Sequence, residues 1–158
     1  MAAARDLVSA GDQPSVGAVA ARAGVSRITV YNQFGSKSGL FASLAPRHDH
    51  ATGPAEGSPR EQLNHHIQLC CEVWADAPAL HRHLPPSAHE GASDTARVLA
   101  ERLAAADELR PGCSIKEAED VINALTSFTV FDRLHKDGRR SPSAVAEIVR
   151  RLASTLLT

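Results

Sequence analysis

The sequence predicts an all-α fold, and three observations carry that expectation. Apolar residues recur at three- and four-residue spacing over most of the chain. No segment alternates apolar and polar residues as a half-buried strand does. Aromatic residues make up only 4% of the 158 positions, so Ala, Leu and Val must build the core, a composition that favours helix over sheet.

The elements follow in order. Ala2–Ala10 is expected as a short helix closed by Gly11. Pro14-Ser15 opens a second, Val16–Ala23, with Ser15 as its N-cap. Gly24-Val25 is a turn, and Ser26 caps a third helix that runs to about Phe34. Gly35-Ser36 breaks the chain again before a fourth helix from Lys37. Pro46 and the stretch His50–Pro59 (HATGPAEGSP) read as a loop, which divides the chain into domains at 1–48 and 59–158.

Beyond the loop, Arg60–Ala77 carries Leu63, Ile67, Cys70, Cys71 and Trp74 at helical spacing. Ala79–His83 forms a further turn before Pro85-Pro86 stops it. Ser93–Leu109 is an amphipathic helix with Val98, Leu99 and Leu103 inward, ended by Pro111-Gly112. Ser114 and Glu117 have the spacing of a capping box, and the helix they open is expected to continue to about Lys136. Ser141 or Ser143 opens the last helix, which holds Val145, Ile148, Val149, Leu152, Leu156 and Leu157. These last two helices are apolar over a wider arc than one packed face needs. Either they form a fully buried hairpin, or the surplus is a subunit interface.

Several function classes are disfavoured. No apolar run reaches the roughly 20 residues that cross a bilayer, and Arg5 and Asp6 interrupt the start where a secretory signal is apolar, so the chain reads as cytoplasmic with no membrane partner. The three cysteines, Cys70, Cys71 and Cys113, lack C-x-x-C spacing and read as reduced thiols. G-x-S-x-G, P-loop, Rossmann and H-E-x-x-H motifs are all absent, so no enzyme activity, catalytic residue or cofactor is expected. Eight histidines raise metal binding, but H-x-H pairs such as His81/His83 do not share a helix face. The best metal pair is His66 with Cys70, four residues apart on one helix, and no metal site is expected from it.

The net charge of −1 hides an asymmetry. Residues 1–48 hold five basic side chains (Arg5, Arg22, Arg27, Lys37, Arg47) against Asp6 and Asp12, whereas the remainder holds 12 basic and 16 acidic ones. A basic head on an acidic body suits a polyanion at the N-terminal end alone.

Residues 16–33, VGAVAARAGVSRITVYNQ, place a small residue, Ala20, where two steeply crossed helices would touch, and a glycine, Gly24, where their turn needs positive φ. Val16, Val19, Val25 and Val30 fall where the two helices share a core, and Ser26 leaves the first turn of the second helix exposed. Such first-turn residues enter the DNA major groove. The longer run Ala18–Phe41, AVAARAGVSRITVYNQFGSKSGLF, resembles the TetR-type regulator family, with Thr29, Tyr31, Phe34, Ser36, Lys37 and Leu40 as its most specific part.

That resemblance implies an N-terminal three-helix helix-turn-helix domain, then a helical ligand-binding and dimerisation domain. It implies a homodimer bound to a near-palindromic operator in double-stranded DNA, usually as a repressor released by a small-molecule effector. Arg27 is then a candidate for bidentate guanine readout or a phosphate contact. Thr29 resembles the family's phosphate or thymine-methyl contact, Tyr31 its phosphate-binding tyrosine, and Lys37 a phosphate clamp at a helix N-terminus. Gln33 is expected on the face of Thr29, Asn32 partly sideways, and Ser15 as a cap that can also donate to a phosphate. Gly17 stands where many members carry a polar side chain, and Pro46 shortens or kinks the connector helix.

The effector pocket is expected among His66, Cys70, Trp74, Leu99, Leu103, Leu125 and Phe128, residues equally accounted for as plain core. The dimer interface is expected at Val121, Leu125, Val145, Ile148, Leu152 and Leu156. The competing reading is a helical dimeric ligand- or metal-binding protein with weakened or lost DNA binding.

Overall fold

A computed structural model describes residues 6–7, 15–44, 57–83 and 93–158. In chain order its helices are α1 (Val16–Ala23), α2 (Arg27–Phe34), α3 (Lys37–Leu44), α4 (Pro59–Asp76), α5 (Pro78–His83), α6 (Ser93–Ala105), α7 (Ile115–Leu125), α8 (Phe128–Asp132) and α9 (Pro142–Ala153). A π-turn, Arg133–Asp137, follows α8, and a 3-10 turn, Ser154–Leu156, follows α9. Among the described residues the only extended pairing is an isolated bridge between Leu109 and Leu157. The fold is all-α. Of the expected helix Ala2–Ala10, Asp6 and Leu7 are helical and the rest lies outside the described residues, as do Pro46, most of the His50–Pro59 loop and Pro85-Pro86.

The chain divides into two compact units. One comprises Met1–Arg47 with Ala77–His89, the other His48–Asp76 with Glu90–Thr158. The 77–89 segment therefore groups with the N-terminal module rather than with the body that surrounds it in sequence. The cause is Leu80 on α5, which is buried in one apolar cluster with Val16, Val19, Ala20, Val30 and Leu40. A module this small gains a large fraction of its core from one added leucine, roughly 2 kcal/mol if fully buried.

In the second unit α4 supplies Leu63, Ile67, Cys70, Cys71 and Trp74 to a continuous core. Facing them are Leu99 and Leu103 of α6, Ile122 of α7, Phe128 and Phe131 of α8, and Val145 and Val149 of α9. Ala96, Ala100, Ala118 and Ala146 are fully buried as well. Small side chains at those positions let neighbouring helices approach closely, α6 and α7 most extensively. Ser141 caps α9 by accepting from the Ala144 amide at 3.2 Å, with Pro142 at the first helical position.

Three expected boundaries shift. The helix from Ser93 ends at Ala105 instead of Leu109, because Asp107 takes a left-handed φ of 55°. The freed strand-like residues then tie down the chain's last turn, with Arg110 N donating to Leu156 O (2.8 Å) and Thr158 N to Glu108 O (3.0 Å). For the same reason Leu156 and Leu157 leave α9 rather than extend it.

The third shift is larger: the expected single helix from Ser114 to Lys136 is broken at Thr126-Ser127. Trp74 Nε1 donates to the Thr126 carbonyl at 2.9 Å, inside the core, and the Ser127 hydroxyl accepts from Val130 N at 3.4 Å. The indole thus takes the acceptor that helix continuation would use, and Ser127 caps a new start. Half of the expected capping box forms: Ser114 Oγ accepts from Glu117 N at 3.1 Å, while the Glu117 carboxylate pairs with Arg110 at 3.0 Å.

Candidate nucleic-acid interface

The first unit builds its exposed helix by local capping. Ser15 Oγ accepts from Ala18 N at 3.1 Å and starts α1. Gly24, at φ 67°, closes α1 in the left-handed region that Gly adopts without a Cβ penalty. Val25 N then bonds back to Ala20 O at 3.0 Å, setting the turn. Ser26 Oγ accepts from Thr29 N at 3.1 Å and shares a 2.9 Å hydrogen bond with the Thr29 hydroxyl, so one serine starts α2 and orients Thr29. Gly35, at φ 72°, ends α2. Ser36 Oγ accepts from Gly39 N at 2.9 Å and caps α3. A Cβ at Gly39 would collide with the Phe34 carbonyl, so glycine is what lets α3 start so close behind α2.

Val30 is buried and Phe34 half-buried, which fixes the inward side of α2. At about 100° per residue, the positions opposite Val30 are 28 and 32, with 29 beside them. Asn32, expected partly sideways, therefore stands at the centre of the outward face. Gln33 lies one turn past Thr29, about 40° from it and on the side nearer the packed flank, and is exposed. Arg27 and Tyr31 lie on the other flank. Ser15, Arg27, Thr29, Tyr31, Asn32, Gln33 and Lys37 are all exposed in the same unit.

One residue escaped the sequence reading, and a second was read there only as a missing polar side chain. Ile28 is 71% exposed, the largest exposure among the large apolar side chains of the described residues, and sits in the first turn of α2. The signal that finds it is the angular offset from Val30. Gly17 is the second. A Cβ there would lie 2.7 Å from Arg27 Nε and Nη2 and 2.9 Å from Cζ. The missing side chain is thus a seat on α1 in which the Arg27 guanidinium rests.

The outward face mixes an apolar contact (Ile28), hydrogen-bonding groups (Thr29, Asn32) and a flanking cation (Arg27). These are the groups that read base edges in a major groove: methyl contact for thymine, amide for adenine, guanidinium for guanine. Lys37, in the first turn of α3, adds a cation where the helix N-terminus already favours an anion.

A model of the family described as "Bacterial regulatory proteins, tetR family" matches residues 1–44. Over those residues, which hold α1 to α3, the chain is similar to that family. Two helices joined by the Gly24 turn, α1 and α2, lie within that match and have the arrangement of a helix-turn-helix. A solved structure described as "Molecular basis for control of antibiotic production by a bacterial hormones" is 20% identical, with a TM-score of 0.63 over 99% of this chain and 97% of that one. That likeness shows that the fold, body included, is shared. No curated protein matches. No helix among the described residues is long and apolar enough to cross a membrane.

In the body, His66, Cys70, Trp74, Leu99, Leu103 and Phe128 are all buried, and Leu125 is half-buried against them. The structure brings these pocket candidates together as one packed core. Trp74 and Phe128 meet edge to face, with ring centroids 5.7 Å apart. Cys70 Sγ lies 3.6 Å from His66 Nε2. Burial pushes the Cys70 thiol up to about 12 and the Cys71 thiol up to about 11. Among the described residues no group of three His, Cys, Asp or Glu side chains is placed to hold an ion.

The six interface candidates separate. Val145 and Leu156 are buried in the chain's own core, Val145 on the face that α9 turns toward α4 and Leu156 in the turn after α9. Val121, Leu125 and Ile148 are half-buried, and Leu152 is 46% exposed.

Proposed function

We propose that this chain is a TetR-type regulator: a sequence-specific, dimeric transcriptional repressor that a small-molecule effector releases from its operator. The observation that carries the DNA reading is the outward face of α2. It is capped at both ends, and exposes Ile28, Thr29 and Asn32 between Arg27 and Tyr31 on one flank and Gln33 on the other. In this reading Ile28 contacts a thymine methyl, Asn32 an adenine edge, and Arg27 a guanine or a phosphate. Tyr31, Lys37 and Ser15 hold the backbone.

Two copies would set their α2 helices in successive major grooves, roughly 34 Å apart, on a near-palindromic site. The apolar surface that supports pairing comprises Ile148 and Leu152 on α9 with Val121 and Leu125 on α7. The effector is assigned to the core around Trp74 and Phe128, next to the break at Thr126-Ser127. The described structural relative concerns a bacterial hormone, which suits a small signalling molecule as effector. Such a ligand acts only if it binds the released conformation better than the DNA-bound one.

The test is selection of bound sequences from random duplex DNA at physiological salt with the purified protein. An enriched inverted repeat is the expected result. A folded protein that enriches no sequence rejects the DNA reading.

A further inference from the structure

The second unit holds a groove of about 240 Å³ between the first two turns of α4 and the end of α9. Three guanidiniums surround it, from Arg60, Arg150 and Arg151, together with the Asn64 amide. Leu63 and Leu157 give it an apolar floor, and among the described residues no acidic one lines it. Yet from residue 49 on the chain is acidic, with 12 basic against 16 acidic side chains. Arg150 and Arg151 alone would be explained by the negative end of α9. Arg60 is not: it lies in the first turn of α4, where the helix dipole disfavours a cation.

The arginines differ in how they are held. Arg150 is fixed, with Nη1 donating to Glu147 and Nη2 to Gln68, both at 2.8 Å. Its Nε is buried without a hydrogen-bond partner among the described residues. Arg60 Nη2 donates to the Thr158 carbonyl at 2.7 Å, which draws it over the groove. Arg151 is exposed and makes no side-chain hydrogen bond or ion pair with a described residue. Arg150 is thus ion-paired with Glu147, while Arg151 and the remaining donors of Arg60 are left to an anion, and guanidinium forks match the two oxygens of a carboxylate.

We infer that this groove binds a small monocarboxylate with a short aliphatic tail, the head on Arg60 and Arg151 and the tail on Leu63 and Leu157. A phosphate would satisfy the cations but leave the apolar floor without a partner. The assignment is independent of the DNA-binding reading.

Hexanoate is the probe, added to the full chain in chloride buffer and followed through the arginine Nε–H signals by NMR, with hexanol and inorganic phosphate as comparisons. Saturable shifts at Arg60 and Arg151 with hexanoate are expected, and none with hexanol. Arg151→Gln and Arg60→Gln should each weaken hexanoate about tenfold, the scale of one lost charge-assisted hydrogen-bond pair. Both positions are exposed or half-buried, and an unchanged circular dichroism spectrum identifies a folded variant. Equal binding of hexanol, phosphate binding as tight as hexanoate, unchanged affinity in both variants, or no saturable shift would each overturn the inference.

Discussion

Replacing Gly17 by Ala separates stability from recognition. The new Cβ would lie 2.7 Å from Nε and Nη2 of Arg27 and 2.9 Å from Cζ, closer than non-bonded carbon contacts allow, so the guanidinium must leave its seat. Only the end of a flexible, exposed side chain has to move, which costs the fold little. Within a helix, Gly to Ala gains up to about 1 kcal/mol from propensity alone. Stability should therefore rise or hold. DNA recognition should change, because a guanidinium in contact with base or phosphate is worth about 1–3 kcal/mol, or roughly five- to 150-fold in affinity. Denaturant unfolding reads the first effect. Operator affinity of Gly17→Ala, Arg27→Ala and the double variant reads the second. If the seat acts through Arg27, Gly17→Ala has no further effect once Arg27 is gone. Additive losses in the cycle, or a destabilised Gly17→Ala protein, would refute the seat.

Three further outcomes are expected. Ile28→Ala should reduce preference at one thymine position by about fivefold in selected sequences while leaving half-site spacing unchanged; an unaltered preference assigns Ile28 to the surface alone. Lys37→Ala and Tyr31→Phe should weaken all sequences alike, and Lys37→Ala should lower the slope of log affinity against log salt by about 0.9, read by titration at several salt concentrations. Burial raises the Cys70 thiol from its ordinary 9.0 to about 12, so between those pH values the unfolded chain loses this proton first. The stability it contributes is complete below pH 9 and falls as pH rises, by ~4 kcal/mol across the window. Unfolding free energies from pH 8 to 11 should show a steeper fall in the wild type than in Cys70→Ala.

The first three helices were legible because their determinants are local. Ser15, Ser26 and Ser36 each cap a helix by accepting from an amide three residues on, and Gly24 and Gly35 end the helices between them at positive φ. Such signals lie within one turn of the residue they control. The direction in which each side chain of α2 points was less legible. It depends on which residue meets the core, and once Val30 is seen buried, Ile28 and Asn32 move to the centre of the outward face. The seat of Arg27 on Gly17 was out of reach, since it needs two helices placed in space.

Long-range determinants account for the misread body. Residues 114–136 carry a helical apolar pattern throughout, and no proline or glycine interrupts it. The break at Thr126 comes from Trp74, 52 positions earlier in the chain, whose indole reaches the Thr126 carbonyl. The local sequence only permits the break: the Thr126 hydroxyl satisfies the Ile122 carbonyl at 2.8 Å, and Ser127 restarts the helix. A buried donor left without that carbonyl would cost about 1–3 kcal/mol, enough to hold the break against helix propensity. The same bond joins α4 to the junction of α7 and α8 inside the core assigned to the effector. Trp74 is the chain's single tryptophan, so its fluorescence reports any ligand that enters there. Trp74→Phe keeps an aromatic ring but loses the donor, and should leave Thr126 free to close a continuous helix. Helical circular dichroism should then rise slightly while stability falls. A variant with wild-type stability and wild-type helicity would mean that the Trp74 bond follows the break and does not cause it.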